Sequence, residues 1–496
     1  TKEKISLSGH FDAGSIGELL EADGALSFKF DALSLYAFSP WIDYPLIIKD
    51  GTGSLSINVE LENGKLKKGG SSFSVQNLNA NTINNDKQDL VFNDISGEFK
   101  YKLVNDDINI ILDNLFLTTN SKLQFEDSAA SIKYNFETNQ INKATLVIDR
   151  FDLGSVKEIS NQFLPEEHRA NVIINKLSAK GEIDNLKLKW ARTSDGEEPS
   201  LKLKAKFLEI EINEFESFPG LKNLTGEVNI ENEKGIIRSV SRDVKITKED
   251  VFRAPLQLNQ FSGSVNWDNQ KYSFNDVTVK DDYMEAIFDG TVKYESLDNL
   301  YVDINIDSPT LNIPNFKAYY PKQIGKEGLG WLDTSLLEGT AENTNIQMKG
   351  KVKNFPFIDE NNKPDLSKGY FRVRSSVKDS FIEYGDNWPE MEKFDAEIIV
   401  DGGDVFITSQ KGELDKSQVK IFKGAITPFT ADEVVLNIDT TLDSSAENII
   451  YAINNSPIKE AMKGMSNDMK GKGDGELKLV LNVGFDDLDN IPFKGT

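Results

Sequence analysis

Apolar and polar residues alternate, with a period of two, in many short stretches of the chain. Clear examples are Leu55–Leu61, Leu201–Phe207, Val302–Ile306 and Leu477–Leu479. In each stretch one set of alternate residues is aliphatic or aromatic, while most of the other set is charged or amide-bearing. This pattern predicts β-strands with one buried face. Burial of one face only is typical of antiparallel sheets, since parallel sheets are usually covered on both faces.

Clusters of Asn, Asp and Gly separate these stretches at short intervals. They include Glu62–Gly64, Asn105–Asp107, Asn232–Gly235 and Asp401–Asp404. Such residues accept the positive φ angles that tight hairpins require. The sequence therefore predicts a meander of β-hairpins.

Few segments predict helices. A capping box at Ser155–Glu158 predicts a short helix through Phe163, and Ser456 followed by a proline predicts another over Ile458–Met465. One or two more are expected within Phe316–Leu337. Because so few helices cannot cover every predicted strand, the apolar faces must contact another sheet or an apolar ligand.

Two sequence patterns recur along the chain. The first is an apolar residue, a small or polar residue, Gly or Ala, and then an alternating strand, with copies at 95–99, 224–228, 261–265 and 394–398. The second is an Ile-Asp strand end, a proline-containing insertion and a Gly-led strand, over 148–181, 306–339 and 438–475, with a remnant over 41–53. Repeats of this kind stack into elongated structures. We therefore expect one continuous body over residues 1–496, with approximate repeats 1–148, 149–306, 307–438 and a truncated 439–496.

The charge balance excludes some partners. The formal net charge is −24, from 56 Lys and Arg against 80 Asp and Glu, and there is no cysteine. A nucleic-acid partner requires a basic surface and is excluded. The net charge also disfavours a role adsorbed on an anionic membrane surface. No apolar run is long enough to span a bilayer, and we interpret the chain as a fragment of a longer protein.

No residue pattern predicts catalysis. The two histidines, His10 and His168, have no neighbouring serine or metal-ligand pattern. The acidic pairs at 281–282 and 486–487 match no calcium loop and are interpreted as turn residues. The glycine-rich segment 464–475 lacks the strand–loop–helix order of a phosphate-binding loop. We predict no catalytic residue, no metal and no cofactor.

Several landmarks together resemble a known family. They are Tyr319–Pro321, Gly330–Leu332, Leu337–Gly339, Phe355–Phe357, Gly369–Val373 and Trp388-Pro389, in that order. With the segment from about 149 to 400, they resemble the central region of the YhdP-like branch of the AsmA-like envelope proteins. The repeats extend the resemblance towards both ends of the chain.

The resemblance implies a periplasmic body anchored to the inner membrane by a transmembrane helix that is absent from this chain. That body would be a taco-shaped β-sheet with an apolar concave face, similar to the bridge-like lipid transfer proteins. It implies phospholipid as cargo, moved between the inner and outer membranes of a Gram-negative envelope. The outer membrane or its proteins would be the partner at the far end.

The alternating apolar residues therefore fit two main alternatives, lining of a lipid groove or the core of a structural or adhesive β-sandwich rod without lipid cargo. A third, an enzyme on a parallel β-helix, is disfavoured by the hairpin turns. The repeats and the resemblance favour an all-β, elongated antiparallel sheet curled into an open hydrophobic groove, with short helices at the repeat junctions. The residues predicted to contact acyl chains are Leu55, Ile57, Val59, Leu61, Leu201, Leu203, Phe207, Val302, Ile304, Ile306, Leu477 and Leu479.

Overall fold

A computed structural model describes residues 4–15, 18, 21–40, 46–82, 85–119, 124–163, 167–193, 198–215, 219–296, 299–320, 322, 326–383, 388–429, 434–462, 465–484 and 493–495. The chain divides into two compact units, Thr1–Ser239 (unit 1) and Val240–Thr496 (unit 2). The division falls within a strand, β12 (Lys234–Thr247).

Unit 1 is an antiparallel meander in which each strand from β1 to β10 pairs with the next. Its strands are β1 (Lys4–Asp12), β2 (Asp23–Ser34), β3 (Leu46–Glu62), β4 (Lys65–Thr82), β5 (Asn85–Val104), β6 (Asp107–Thr119), β7 (Gln124–Asn135), β8 (Gln140–Asp152), β9 (Lys180–Ala191), β10 (Ser200–Ile212) and β11 (Gly220–Glu231). Its helices are α1 (Leu35–Phe38), α2 (Gly154–Phe163) and α3 (Arg169–Leu177).

Unit 2 continues the same plan, with antiparallel pairing of successive strands from β13 onwards. Its strands are β13 (Leu256–Asp268), β14 (Lys271–Lys280), β15 (Glu285–Lys293), β16 (Tyr301–Asn312), β17 (Leu336–Lys351), β18 (Gly369–Ile382), β19 (Met391–Asp401), β20 (Asp404–Leu414), β21 (Ser417–Ile426), β22 (Val435–Ser445), β23 (Asp474–Gly484) and β24 (Phe493–Gly495). Its helices are α4 (Lys326–Ser335), α5 (Ala446–Asn454) and α6 (Ile458–Ala461), with 3₁₀ turns at Pro314–Tyr319, Val352–Asn354 and Met465–Asp468. The predicted all-β antiparallel fold with few short helices is confirmed.

The predicted hairpin turns are confirmed, and asparagine accounts for several of them. Asn63, Asn105 and Asn232 take φ angles of 51°, 56° and 55°, and Gly402 takes 62°. Each lies between two strands that pair directly in the sheet. A side chain that tolerates the left-handed region lets the chain reverse within two residues.

The helix predictions are confirmed in part. α2 ends at Phe163 as expected, but Asp152 caps its start, because its carboxylate accepts hydrogen bonds from the Ser155 N–H and hydroxyl at 3.1 Å. The helix predicted over Ile458–Met465 is shorter, since α6 ends at Ala461. The segment Phe316–Leu337 holds part of a 3₁₀ turn and α4, as predicted, whereas the sequence analysis predicts none of α1, α3 and α5.

The helical insertions share one edge of the sheet within each unit. They follow β2, β8, β16 and β22, all even-numbered strands of a strict antiparallel meander. In each unit the connections after even-numbered strands lie at one edge, which we call the helical edge, and the other connections form the hairpin edge. The second sequence pattern marks this arrangement, since Ile148, Ile306 and Ile438 lie in strands that enter a helical insertion. The division into four repeats stays a prediction.

A glycine opens the strand after a helical insertion, and at Gly181 the structure explains why no larger residue fits. Its φ is 113°, and a Cβ there would lie 2.8 Å from the Leu208 carbonyl oxygen. Changing Gly181 to Ala should lower the free energy of unfolding of the chain by about 2 kcal/mol, because both the backbone strain and the close contact oppose a side chain. Urea denaturation followed by circular dichroism measures this.

Gly330 provides the control for that substitution. It lies within α4, and a Cβ at this position would meet nothing within 4 Å. Gly330→Ala should leave the free energy of unfolding unchanged or raise it by up to about 1 kcal/mol. If Gly181→Ala and Gly330→Ala lowered the free energy of unfolding equally, the explanation given for Gly181 would be contradicted.

Candidate functional site

The strand register joins one residue from each of the strands β1 to β11 into a mainly apolar row on one face of the sheet. Residues directly opposite each other in an antiparallel pair point to the same face. The row is Leu7, Phe28, Ile57, Ser71, Phe99, Leu112, Ala130, Leu146, Leu188, Leu203 and Ile230. Ser71 is its one polar residue. We call this side of the sheet the apolar face.

A second row follows on the apolar face, two residues nearer to the hairpin edge. It contains Gly9, Leu26, Val59, Gly69, Tyr101, Ile110, Ile132, Ala144, Trp190 and Leu201. It carries no charged side chain. The Tyr101 ring lies over Gly69, where a Cβ would come within 2.7 Å of it, and burial raises the pKa of the Tyr101 phenol. Aromatic cover of this kind keeps the surface apolar where a strand has no side chain.

Unit 2 has an apolar face built in the same way. One row contains Phe288, Ile306, Ile346, Val373, Val400, Val405, Ile426 and Leu436. A neighbouring row contains Ile398, Ile407, Gly424, Ile438 and Leu481. Both rows are apolar over these strands. The second row becomes polar beyond Ile398, where its partner is Ser375, which hydrogen-bonds Thr344.

All twelve predicted residues lie on these faces. The apolar face of unit 1 carries Leu55, Ile57, Val59, Leu61, Leu201, Leu203 and Phe207. The apolar face of unit 2 carries Val302, Ile304, Ile306, Leu477 and Leu479. Phe207, Val302 and Leu479 are buried by other protein residues. The remaining nine are at least partly exposed, and their contact with acyl chains stays a prediction.

The apolar face is covered at the helical edge. In unit 1, Leu35 of α1 lies over Gly53, where a Cβ would be 2.8 Å from the leucine side chain. In unit 2, Ile458 of α6 packs in one cluster with Leu442 and Leu479. The buried cores of the two units therefore include this edge, beneath the helical insertions.

In unit 1 the apolar face stays open away from the helices. Four of its apolar residues are exposed there, namely Leu7 (65%), Ile110 (36%), Ile132 (39%) and Leu201 (38%). We call these four residues the open strip. Exposed apolar surface costs about 25 cal/mol for each Å², and soluble proteins rarely leave it contiguous unless it binds something. Ile110 and Ile132 are direct partners, and Ala144 and Trp190, which link them to Leu201 in the same row, are partly exposed, while Leu7 lies apart on β1. The open strip is therefore the candidate site for an apolar ligand, and its contiguous part runs from Ile110 to Leu201.

Sequence reasoning missed three of the four residues in the open strip. Leu7 and Ile132 lie in alternating segments, Ile5–Phe11 and Ala130–Tyr134, so the period-two signal was present at both. Ile110 lies in the apolar run Ile108–Leu112, interrupted only by Asn109. That run does not show which residues face which side, and only the pairing of Ile110 with Tyr101 and Ile132 places it on the apolar face.

The opposite face of unit 1 is polar and carries cross-strand ion pairs. Lys133 contacts Asp107 at 2.6 Å and Lys202 contacts Glu231 at 2.6 Å. Hydrogen bonds from Lys133 and Asn135 lower the pKa of the Asp107 carboxyl. The two faces thus differ sharply in chemistry, as the alternation predicts.

A cavity of about 810 Å³ lies among β1 to β6. Most of its lining belongs to two rows of the polar face, namely Ser8, Ser27, Asn58, Gly70, Lys100 and Ile111, and His10, Ala25, Glu60, Lys68, Lys102 and Asn109. Because most of its lining residues lie on the polar face, the cavity is distinct from the open strip on the apolar face.

In the part of the chain that the structure describes, no group of three or more His, Asp or Glu residues could hold a metal ion. No helix there is both long and apolar enough to cross a membrane.

Comparisons with known proteins agree with this geometry. A family model described as YhdP protein matches residues 2–496. The intermembrane phospholipid transporter YhdP of Escherichia coli (strain K12) is 18% identical over 287 residues. That match covers 57% of this chain and 22% of the relative.

Proposed function

Because the chain belongs to the YhdP protein family, whose model matches residues 2–496, we propose that it moves phospholipid between membranes by binding acyl chains along its apolar faces. The name of the E. coli relative supports the cargo. The observation that supports the site is the row from Leu7 to Ile230, which crosses eleven strands with one polar residue. A periplasmic location, an inner-membrane anchor and contact with the outer membrane belong to the same proposal.

The energetics favour movement along the row. Each methylene of an acyl chain that leaves water contributes about 0.8 kcal/mol. At about 4.8 Å between strands, eleven strands offer a path of about 50 Å measured along the sheet. Because successive positions along the row are chemically alike, a lipid can shift from one strand to the next without exposing its chains to water. The phosphate-bearing headgroup would stay in water beyond the apolar rows.

The alternative, a β-sandwich rod without lipid cargo, requires a second sheet over the apolar face. The exposure of Leu7, Ile110, Ile132 and Leu201 favours the lipid-binding proposal, since a sandwich would bury these side chains. The proposal concerns binding and conduction, and it requires no catalytic group, metal or cofactor.

A competition experiment tests which part of the lipid is bound. A phospholipid with a fluorescent acyl chain is added to the purified, detergent-free chain, and long-chain phospholipids of differing headgroup are titrated in. We expect displacement by all of them at similar concentrations, because the apolar rows recognise methylenes. We expect none by the soluble headgroup alone, glycerophosphocholine. No binding, or displacement by that headgroup, would contradict the proposal.

A further inference from the structure

The polar face of unit 1 carries a compact group of lysines on two neighbouring strands. Lys187 lies directly opposite Lys204, and Lys189 lies directly opposite Lys202. Lys206 follows on the same face of β10. All five side chains are exposed. We call these residues the lysine array.

The spacing brings the positive charges close together. Directly opposite residues lie about 5 Å apart, and alternate residues of one strand about 7 Å apart. Like charges placed opposite each other destabilise a sheet. A cluster of five lysines is unexpected in a chain that has 80 acidic residues against 56 basic ones. The repulsion between these lysines lowers the stability of the sheet.

The carboxylates around the array are already paired. Asp184 accepts hydrogen bonds from Arg150, the shorter at 2.7 Å, and Arg238 contacts Glu227 at 3.2 Å. Glu231 pairs with Lys202 at 2.6 Å.

Three lysines of the array, Lys187, Lys189 and Lys204, have no carboxylate directly opposite them on either neighbouring strand. Lys206 lies between Asp184 and Glu227 in the register, but both carboxylates already contact an arginine. The surface thus keeps a local excess of positive charge.

We propose that the lysine array docks unit 1 onto an anionic phospholipid bilayer. All five cations are lysine, whose ammonium group is a compact point charge that binds phosphate oxygens. The array lies on a solvent-facing sheet surface and presents several ammonium groups side by side, which fits a surface bearing many phosphates. Clustered lysines near such a surface each add to the attraction.

The net charge of −24 does not oppose this contact strongly. Charges separated by more than a Debye length, about 8 Å at physiological ionic strength, are largely screened. Around the array, five lysines stand against the three carboxylates Asp184, Glu227 and Glu231, so the local charge is positive and decides the contact. The proposal departs, at this position, from the expectation from composition that this chain avoids anionic surfaces. The proposal does not depend on lipid binding to the apolar face, because it uses the opposite side of the sheet.

Vesicle co-sedimentation tests the proposal. The purified chain is mixed with phosphatidylcholine vesicles that contain or lack phosphatidylglycerol, at low and at physiological ionic strength. Changing Lys187, Lys189, Lys204 and Lys206 to Gln should weaken binding to the anionic vesicles at least about tenfold. The thermal midpoint of this variant should stay unchanged or rise, because like-charge contacts are removed.

A matched control changes four exposed lysines of unit 2, Lys245, Lys271, Lys423 and Lys478, to Gln, with the same loss of charge. It should keep the binding of the unchanged chain. Three results would overturn the proposal. They are an equal loss of vesicle binding in the two variants, equal binding of the unchanged chain to vesicles without phosphatidylglycerol, and no vesicle binding at all. Displacement by inorganic phosphate, compared at equal ionic strength with chloride, would indicate a soluble-anion site and would overturn it as well.

Discussion

Replacing Ile110 by Asp should weaken phospholipid binding to unit 1 at least about tenfold. Ile110 exposes 36% of its surface on the apolar face, within the row that contains Tyr101 and Ile132. A carboxylate there would either lose its hydration beneath an acyl chain or keep water in the row. Either outcome weakens lipid binding by more than the loss of the isoleucine methylenes alone. The affinity for a fluorescent phospholipid, measured by titration, reports the change.

The neighbouring residue offers a matched control. Ile111 exposes 41% of its surface but faces the opposite side of β6, where its partner in the register is Lys100. Ile111→Asp introduces the same charge one residue away and should leave lipid binding unchanged. Circular dichroism and thermal unfolding should match in the two variants. Equal losses of lipid binding would show that the effect reports damage to the strand and not to an acyl-chain site.

Replacing Leu442 by Ala should lower the free energy of unfolding of unit 2 by about 3 kcal/mol. Leu442 is 1% exposed and packs with Leu479 and Ile458, where α6 meets the sheet. The substitution removes buried methyl groups and leaves a cavity that the surrounding cluster fills only in part. Chemical denaturation measures the loss.

Val480 provides the comparison for that substitution. It is 46% exposed and lies between Leu479 and Leu481 on the other face of β23. Val480→Ala should change the free energy of unfolding by less than about 0.5 kcal/mol. A loss at Val480 as large as that at Leu442 would show that the cluster beneath α6 is not the core we describe.

The strands and their faces could be predicted from the sequence, because a period of two follows from the strand geometry alone. Leu55–Leu61 and Leu201–Phe207 lie in strands with their apolar residues on one side, as expected. The helix α5 could not be predicted in the same way. Its residues Ile449–Ile453 are largely β-branched or aromatic, which favours a strand locally. The hydroxyl oxygen of Ser445 accepts from the Asn448 N–H at 3.2 Å and caps the helix.

The alternation shows which residues share a face but not what covers that face. Val302 alternates with Ile304 and Ile306, yet Val302 alone of these three is buried. The next residues in its row are Gly350 and Gly369, and the buried ring of Phe357 lies over both glycines. The segment after β17 therefore folds back over the apolar face at the hairpin edge of unit 2. The strand alternation does not predict such a contact, because Phe357 lies in the connection between β17 and β18 and not in an alternating strand.

The central claim is that acyl chains occupy the apolar face, and lipid extraction tests it most directly. The chain is purified without detergent, and its bound lipids are extracted and counted by mass spectrometry, beside the Ile110→Asp and Ile111→Asp variants. The account predicts phospholipid bound to the unchanged chain and to Ile111→Asp, and less of it on Ile110→Asp. An unchanged chain that carries no phospholipid, and takes up none from added vesicles, would contradict the account.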